Sequence, residues 1–381
     1  MSDFITFVGD PGPDAGKLLE VIRNSGLGAK RVDASDRAVG ALDKEPPLAA
    51  VVNGEWSDLR AFLEGARETR SLSAVPVLLR VKEADPVLLV DAFRLGVDDF
   101  FVDGSLGQFS ALIATVAKKD AWSAVRAPAG QVILAHADRH ERAKVGRILQ
   151  RNGFDTFFAG STDELKEAIQ HKKSRAVIVS CDIPGEPVVD MILNLMESDE
   201  TLPPMVLAAT AEVIDDARKK LPDGALVKYF ETGTDPEGVT FVLNELLAPP
   251  PAGARRSARI LWATPVSFKY TGGDMVMNGF MFNINQGGVY VRTLTSLPLQ
   301  TKIEVSFRPP FGRGQVVADA QVVWRKQMGD TSGAASPPGM GLQFLELWPS
   351  DQAAYDVGYQ TLLEQTSTSS SSVAPPPTKP V

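Results

Sequence analysis

The sequence is poor in the residues that carry chemistry by themselves, with one cysteine and three histidines among 381 positions. A single cysteine excludes an intrachain disulfide. Cys181 lies in the apolar run AVIVSC, which suits a small buried side chain better than a reactive thiol. With so few histidines and no nucleophile-elbow motif there is no triad to assemble, and the close pair His136 and His140 lacks the glutamate of an HExxH zinc site. Both are expected as solvated residues of a strand-to-helix turn. There is no run of about 18 apolar residues, and the N-terminus MSDFITFVGD has neither a basic flank nor an apolar stretch ending in small residues. The expectation is a soluble, cytoplasmic, non-enzymatic protein with no cofactor, no metal and no membrane insertion.

What is present is apolar residue enough, 44%, for a core in each of two or three domains. Charge is unevenly spread. The first 251 residues hold 28 basic and 39 acidic side chains, whereas residues 252–364 hold 10 and 8. An acidic front repels phosphate backbones, which argues against nucleic acid as the main partner and places any anion site in the C-terminal third.

Along the first two thirds, apolar strand-like runs alternate with helical patterns, the signature of parallel sheets covered by helices. Two such units follow one another. FITFVG, AKRVDAS, LAAVVN, AVPVLLRV and DDFFVD read as the strands of the first, and QVILAHA, DTFFAGS, AVIVSC, PPMVLAAT and ALVKYF as those of the second. Four helical stretches are expected in each. Pro/Ala/Gly punctuation then divides the chain into a first unit at 1–124, a linker at 125–130, a second unit at 131–248 and a linker at 249–254. From there the texture is β. Runs such as ARILWATPVSFKY and GQVVADAQVVWRKQ predict a small closed barrel over 255–364, capped by one helix, DQAAYDVGYQTLLEQ. A Ser/Pro-rich tail at 365–381 is expected to be disordered.

The loop GDPGPDAGKL has the look of a phosphate-binding turn, but its glycine spacing is one residue short, Leu18 stands where a metal-binding hydroxyl is needed, and Asp10 and Asp14 would repel an anion. A plain β/α loop is the better reading. The five-fold alternation, with FRLGVDDFFVDGS in the first unit and VILAHADRHERAKVGRILQRNGF in the second, resembles the flavodoxin-like receiver domain of response regulators. That resemblance implies an acidic pair after the first strand, a phosphoacceptor aspartate after the third, a Ser/Thr after the fourth and a lysine after the fifth, where metal and lysine neutralise the phosphoryl charge. Here those positions read Gly9-Asp10, Asn53, Val81 and Asp103 in the first unit, and Ala137-Asp138, Ser180, Ala209 or Thr210, and Glu231 in the second. Asparagine and serine cannot form an acyl phosphate. Asp182, two residues past Ser180, would restore an acceptor only through a register slip and would still lack the second acid and the lysine. Both units are therefore expected to be degenerate receivers, serving as scaffolding or as a docking face for a protein partner or a homodimer.

The C-terminal module carries the specific pattern. Arg255, Arg256 and Arg259 enter the first barrel strand, and Phe282-Asn283-Ile284-Asn285-Gln286-Gly287-Gly288 forms a polar, glycine-rich turn. These segments resemble the RxxxR and (D/N)xSxxG motifs of the PilZ domain, and the likeness extends through VYVRTLTSLPLQTKIEVSF and PPGMGLQFLEL. Resemblance implies cyclic di-GMP as ligand, with Arg255 and Arg259 on its phosphates and guanines, Arg256 beside them, and Asn283, Asn285 and Gly288 completing the pocket. Asn285 replaces the motif's serine, which puts the affinity in question. Three outcomes remain open: a cyclic di-GMP-responsive adaptor acting on motility, polarity or surface polysaccharide through protein contacts, the same module without ligand, or a phosphorelay receiver using Asp182.

Overall fold

In the computed structural model, residues 3–118, 130–197, 202–247, 257–328 and 336–368 are described, apart from the loop positions 11, 13, 34–35, 70, 73–74, 223–224, 234–235 and 313; residue 330 is described as well. They form two parallel-sheet α/β domains, a barrel and a C-terminal helix, the class the sequence predicts.

The first sheet has strands β1 (Phe4–Val8), β2 (Gly28–Val32), β3 (Ala49–Val52), β4 (Val77–Val81) and β5 (Asp99–Val102) in the order β2-β1-β3-β4-β5. Every residue of β1, β3 and β4 is buried, whereas β2 is an exposed edge. Continuous apolar runs suit strands covered on both faces, and the helices supply that cover. These are α1 (Ala15–Asn24), α2 (Asp36–Lys44), α3 (Trp56–Glu68), α4 (Pro86–Arg94) and α5 (Leu106–Val116). The start of α4 is set locally, since Asp85 accepts from Val87 N at 2.9 Å and Pro86 occupies the first helical turn.

The second domain repeats the plan with β6 (Gly130–Ala135), β7 (Phe154–Ala159), β8 (Ala176–Ser180), β9 (Met205–Ala209) and β10 (Val227–Glu231), ordered β10-β9-β8-β6-β7. Read from the other edge this is the same 2-1-3-4-5 order, that of flavodoxin-like folds. Its helices are α6 (Arg139–Arg151), α7 (Thr162–His171), α8 (Val188–Glu197), α9 (Ala211–Lys220) and α10 (Gly238–Leu247). Ser161 caps α7 by accepting from Glu164 N at 3.2 Å, and Glu164 reaches back to Gly160 N at 2.7 Å, a variant of the capping box. Among the described residues each domain thus has five helices where four were expected. The additions, α2 and α9, are short and strongly polar, so their apolar stripe is only a few residues wide.

The barrel closes in the order β11-β12-β13-β16-β15-β14, from β11 (Ile260–Tyr270), β12 (Met277–Asn285), β13 (Gly288–Arg292), β14 (Lys302–Phe307), β15 (Val316–Lys326) and β16 (Gly339–Leu347). Alternation along β11 is strict, one residue in and the next half-exposed. By contrast β12 and β13 are buried on both faces. Their outer face is covered by the α/β domains: Phe280 stacks on Phe93 of α4 at 4.1 Å between centroids, and Phe282 meets Phe241 of α10 edge-on. Helix α11 (Pro349–Thr368) closes one end, sending Tyr355, Tyr359 and Leu362 into the barrel core. Helix runs on through Thr368, past the start of the expected tail, and residues 369–381 lie outside the described residues.

Candidate ligand-binding site

Strand pairing brings the two barrel motifs together. Ile260 lies opposite Ile284 in the antiparallel β11–β12 ladder, so one step outward Arg259 comes opposite Asn285. The segment is held there by Ser257, whose Oγ accepts from Gln286 N at 3.2 Å. Asn285 pairs with Gly288 across the two-residue turn Gln286–Gly287, and its Oδ1 accepts from Gly287 N at 3.0 Å, an Asx turn. That bond occupies the side-chain carbonyl and leaves the amide Nδ2 as the donor the residue can offer. Gly288 is demanded by packing alone, because a Cβ there would lie 2.0 Å from the Leu342 carbonyl oxygen of β16. Asn283 is buried opposite Leu261, whereas Arg259, Gln286 and Gly287 are exposed. Arg255 and Arg256 lie outside the described residues.

Two tyrosines that the sequence reading passed over tie this region to α11. Tyr355 Oη donates to the Asn285 carbonyl at 2.6 Å, and Tyr359 Oη, one turn on, donates to the Ala258 carbonyl at 2.8 Å. Both motif segments are therefore fixed to one helix. The readable signal was their i, i+4 spacing on the apolar face of an amphipathic helix. Chemically the arrangement offers a planar cation, an amide donor and exposed turn backbone, all suited to an anionic, hydrogen-bonding ligand.

The phosphoacceptor positions are built differently. In the first domain Asn53 follows β3 and its Nδ2 donates to the Asp10 carbonyl. Arg80, from the end of β4, places its guanidinium under the β1–α1 loop, 2.8 Å from where a Gly12 Cβ would stand, and its Nε donates to Asp103 Oδ1 at 2.5 Å. Its side chain is 3% exposed, so a cation of the chain's own fills the ground a divalent ion would need. The signal was there to read: Arg80 is the one polar residue of the strand VLLRV. In the second domain Asp138 caps α6, accepting from His140 N and Glu141 N, and that bonding holds its carboxyl below the usual range. Its side chain is directed at the helix N-terminus. Ser180 is buried at the end of β8, and Asp182 is exposed beyond it. Among the described residues there is no group of three or more His, Cys, Asp and Glu that could hold a metal ion. Burial and the neighbouring Asp182 push the Cys181 thiol up to about 11, as befits an inert thiol. His140 departs from expectation, since it sits in the first turn of α6 and not in the preceding loop.

A buried polar seam joins the domains. Gln108 of α5 and Asn278 of β12 exchange amide hydrogen bonds, Gln108 Nε2 to Asn278 O and Asn278 Nδ2 to Gln108 Oε1, each 2.9 Å. Asp99 Oδ2 accepts from Thr293 Oγ1 at 2.8 Å and Leu294 N at 2.7 Å. Arg292 donates to the Val97 carbonyl at 3.0 Å, lies over the Phe93 ring at 4.8 Å and stands 3.6 Å from Glu237 of the second domain. Lys326 donates to Asn152 Oδ1 at 3.1 Å. Burial moves two of these groups toward neutrality, raising Asp99 to about 7 against the donors around it and lowering Lys326 to about 8. No helix among the described residues is long and apolar enough to cross a membrane.

Comparison with known proteins agrees with the barrel. The profile of the PilZ domain matches residues 254–355. Among solved structures, the chemotaxis response regulator CheY4 of Vibrio cholerae matches at 18% identity over 31% of this chain and 98% of its own, with a TM-score of 0.27. YcgR of Escherichia coli in complex with c-di-GMP matches at 18% identity over 31% of this chain and 49% of its own, TM-score 0.24. The inhibitor of motility MotI/DgrA of Bacillus subtilis matches at 18% identity over 32% of this chain and 57% of its own, TM-score 0.25. No curated protein matches the chain. Closed barrel and profile agree: residues 254–355 are a PilZ domain, carried behind two parallel-sheet α/β domains.

Proposed function

We propose that this protein is a non-catalytic, cytoplasmic signalling adaptor that binds cyclic di-GMP at its PilZ domain and acts on a motility, polarity or surface-polysaccharide system through protein contacts. What supports the reading is the strand register that pairs Ile260 with Ile284, the neighbours of Arg259 and Asn285, together with the bond from Gln286 N to Ser257 between the two motif segments. Arg255, Arg256 and Arg259 would contact the phosphates and guanines, with Asn283, Asn285 and Gly288 shaping the turn. The receiver-like domains contribute surface and no phosphoryl chemistry, because Asn53, Ser180 and the Arg80–Asp103 pair occupy the positions that chemistry needs. Calorimetry of the full chain with cyclic di-GMP tests this: binding at about micromolar affinity, lost in Arg259→Ala, is expected, and the absence of heat well above that concentration rejects it.

A second reading, a PilZ domain that only binds protein, draws on the burial of the outer β12–β13 face under the α/β domains. Under it, the interaction partner of the motility or polarity system binds equally with and without the dinucleotide.

A further inference from the structure

Each α/β sheet has its second strand at one edge, β2 in the first domain and β7 in the second, and among the described residues no strand pairs with the outer side of either. Such an edge is a template for another strand unless something guards it. The two edges correspond residue by residue. Gly9 N donates to the Val32 carbonyl at 2.9 Å and His136 N to the Ala159 carbonyl at 3.2 Å, which sets Val32 level with Ala159 and Lys30-Arg31 level with Phe157-Phe158. The first edge is therefore guarded by two cations, and the second presents two rings in their place. Phe158 is 45% exposed. It lies along α6 at Gly146, where any Cβ would stand 2.8 Å from the ring. Because the Ala159 carbonyl points inward to β6, the alternation of the strand turns the N–H and C=O groups of Thr156 and Phe158 outward.

We propose that β7 is a docking edge for a second copy of this chain, the two β7 strands pairing antiparallel about a two-fold axis and joining their sheets into one. A two-fold axis normal to the sheet sets residues of the same face opposite one another. With Phe157 opposite its own copy, Thr156 exchanges both backbone hydrogen bonds with the partner's Phe158, and Phe158 does so with the partner's Thr156. The charge pattern singles out a second copy as the occupant. Helix α7 runs back along β7 with Asp163 and Glu167 exposed in its N-terminal half and Lys172 and Lys173 exposed just past its end. Lys172 sits at the edge itself, 4.9 Å from the centre of the Phe157 ring. Antiparallel pairing lays the cationic end of each α7 beside the acidic end of the other, with the two helix dipoles opposed. The edge is thus its own complement in charge, whereas the net charge of -8 opposes the approach of two copies elsewhere. A six-residue strand makes a small interface, so the association is weak and reversible.

Sedimentation equilibrium of the full chain tests this. A monomer–dimer equilibrium with a dissociation constant of about 10–100 μM is expected. Phe158→Arg, which installs the residue type that β2 carries at the matching place, should weaken it at least about tenfold. Thr156→Pro, which removes an outward N–H and no bond of the sheet, should do the same. An unchanged thermal midpoint shows that each variant is folded. Lys172→Glu with Lys173→Glu should weaken the dimer, and adding Asp163→Lys with Glu167→Lys should restore it, since opposite ends meet only in the antiparallel arrangement. A chain that stays monomeric at about 500 μM, or a dimer unmoved by both Phe158→Arg and Thr156→Pro, overturns the proposal. A charge reversal that the compensating pair fails to restore overturns the antiparallel pairing.

Discussion

Asn285 already uses part of its side chain to close its own turn, through Oδ1 and Gly287 N. A serine hydroxyl makes the same kind of turn more weakly but fills less of the crowded space before Gly288. Asn285→Ser is therefore expected to raise cyclic di-GMP affinity about tenfold, one charge-assisted hydrogen bond's worth, as read by calorimetry beside wild type. Gly288 gives a contrasting outcome. With the Leu342 carbonyl 2.0 Å from any Cβ, Gly288→Ala must displace β16, and a loss of about 1–3 kcal/mol in urea unfolding is expected. Asn285 is thus tested by ligand affinity and Gly288 by stability, although both stand in the same signature.

At the scale of elements, α11 is the piece that holds the site. Removing the Tyr359 hydroxyl frees the Ala258 carbonyl and the segment that carries Arg259. Tyr359→Phe should cost about 0.5–1.5 kcal/mol and speed hydrogen exchange in residues 257–259, with Tyr355→Phe doing the same at 285–288. The order of elements was readable from the sequence because it rests on local pattern: predominantly apolar runs for β1, β3, β4, β8 and β9, and alternation for β11. The run MFNINQGGVYVRT becomes two strands, since its Gln286–Gly287 centre is a turn. What the sequence could not show depends on contacts between distant elements. Gln108 meets Asn278 across 170 positions, and Arg292 meets Val97 across 195. Neither pairing leaves a local trace, and both helices and strands involved read as ordinary amphipathic segments. The motif residues themselves were legible, but their fixation by Tyr355 and Tyr359 was not.

For the whole molecule, the seam between domains carries a pH dependence of known sign. Folded Asp99 keeps its proton to about pH 7 against an ordinary value of 3.8, so between these values the folded state holds more protons and its stability falls as pH rises. Lys326 acts in the opposite sense, losing its proton near 8 when folded and 10.5 otherwise, so stability rises with pH through that interval. The seam is therefore least stable between about pH 7 and 8, where both groups are largely ionised. Thermal midpoints should show wild type gaining on Asp99→Asn as pH drops from 7 to 5, and gaining on Lys326→Met as pH climbs from 8 to 10. Parallel curves for wild type and variants would remove these two groups from the account.

The central claim is that the PilZ domain binds cyclic di-GMP where Arg259 faces Asn285. Hydrogen exchange across the full chain, with and without saturating dinucleotide, addresses it most directly. The account predicts protection concentrated in residues 257–259 and 285–288, absent in Arg259→Ala. Unchanged exchange in both segments, or protection confined to the α/β domains, would contradict it.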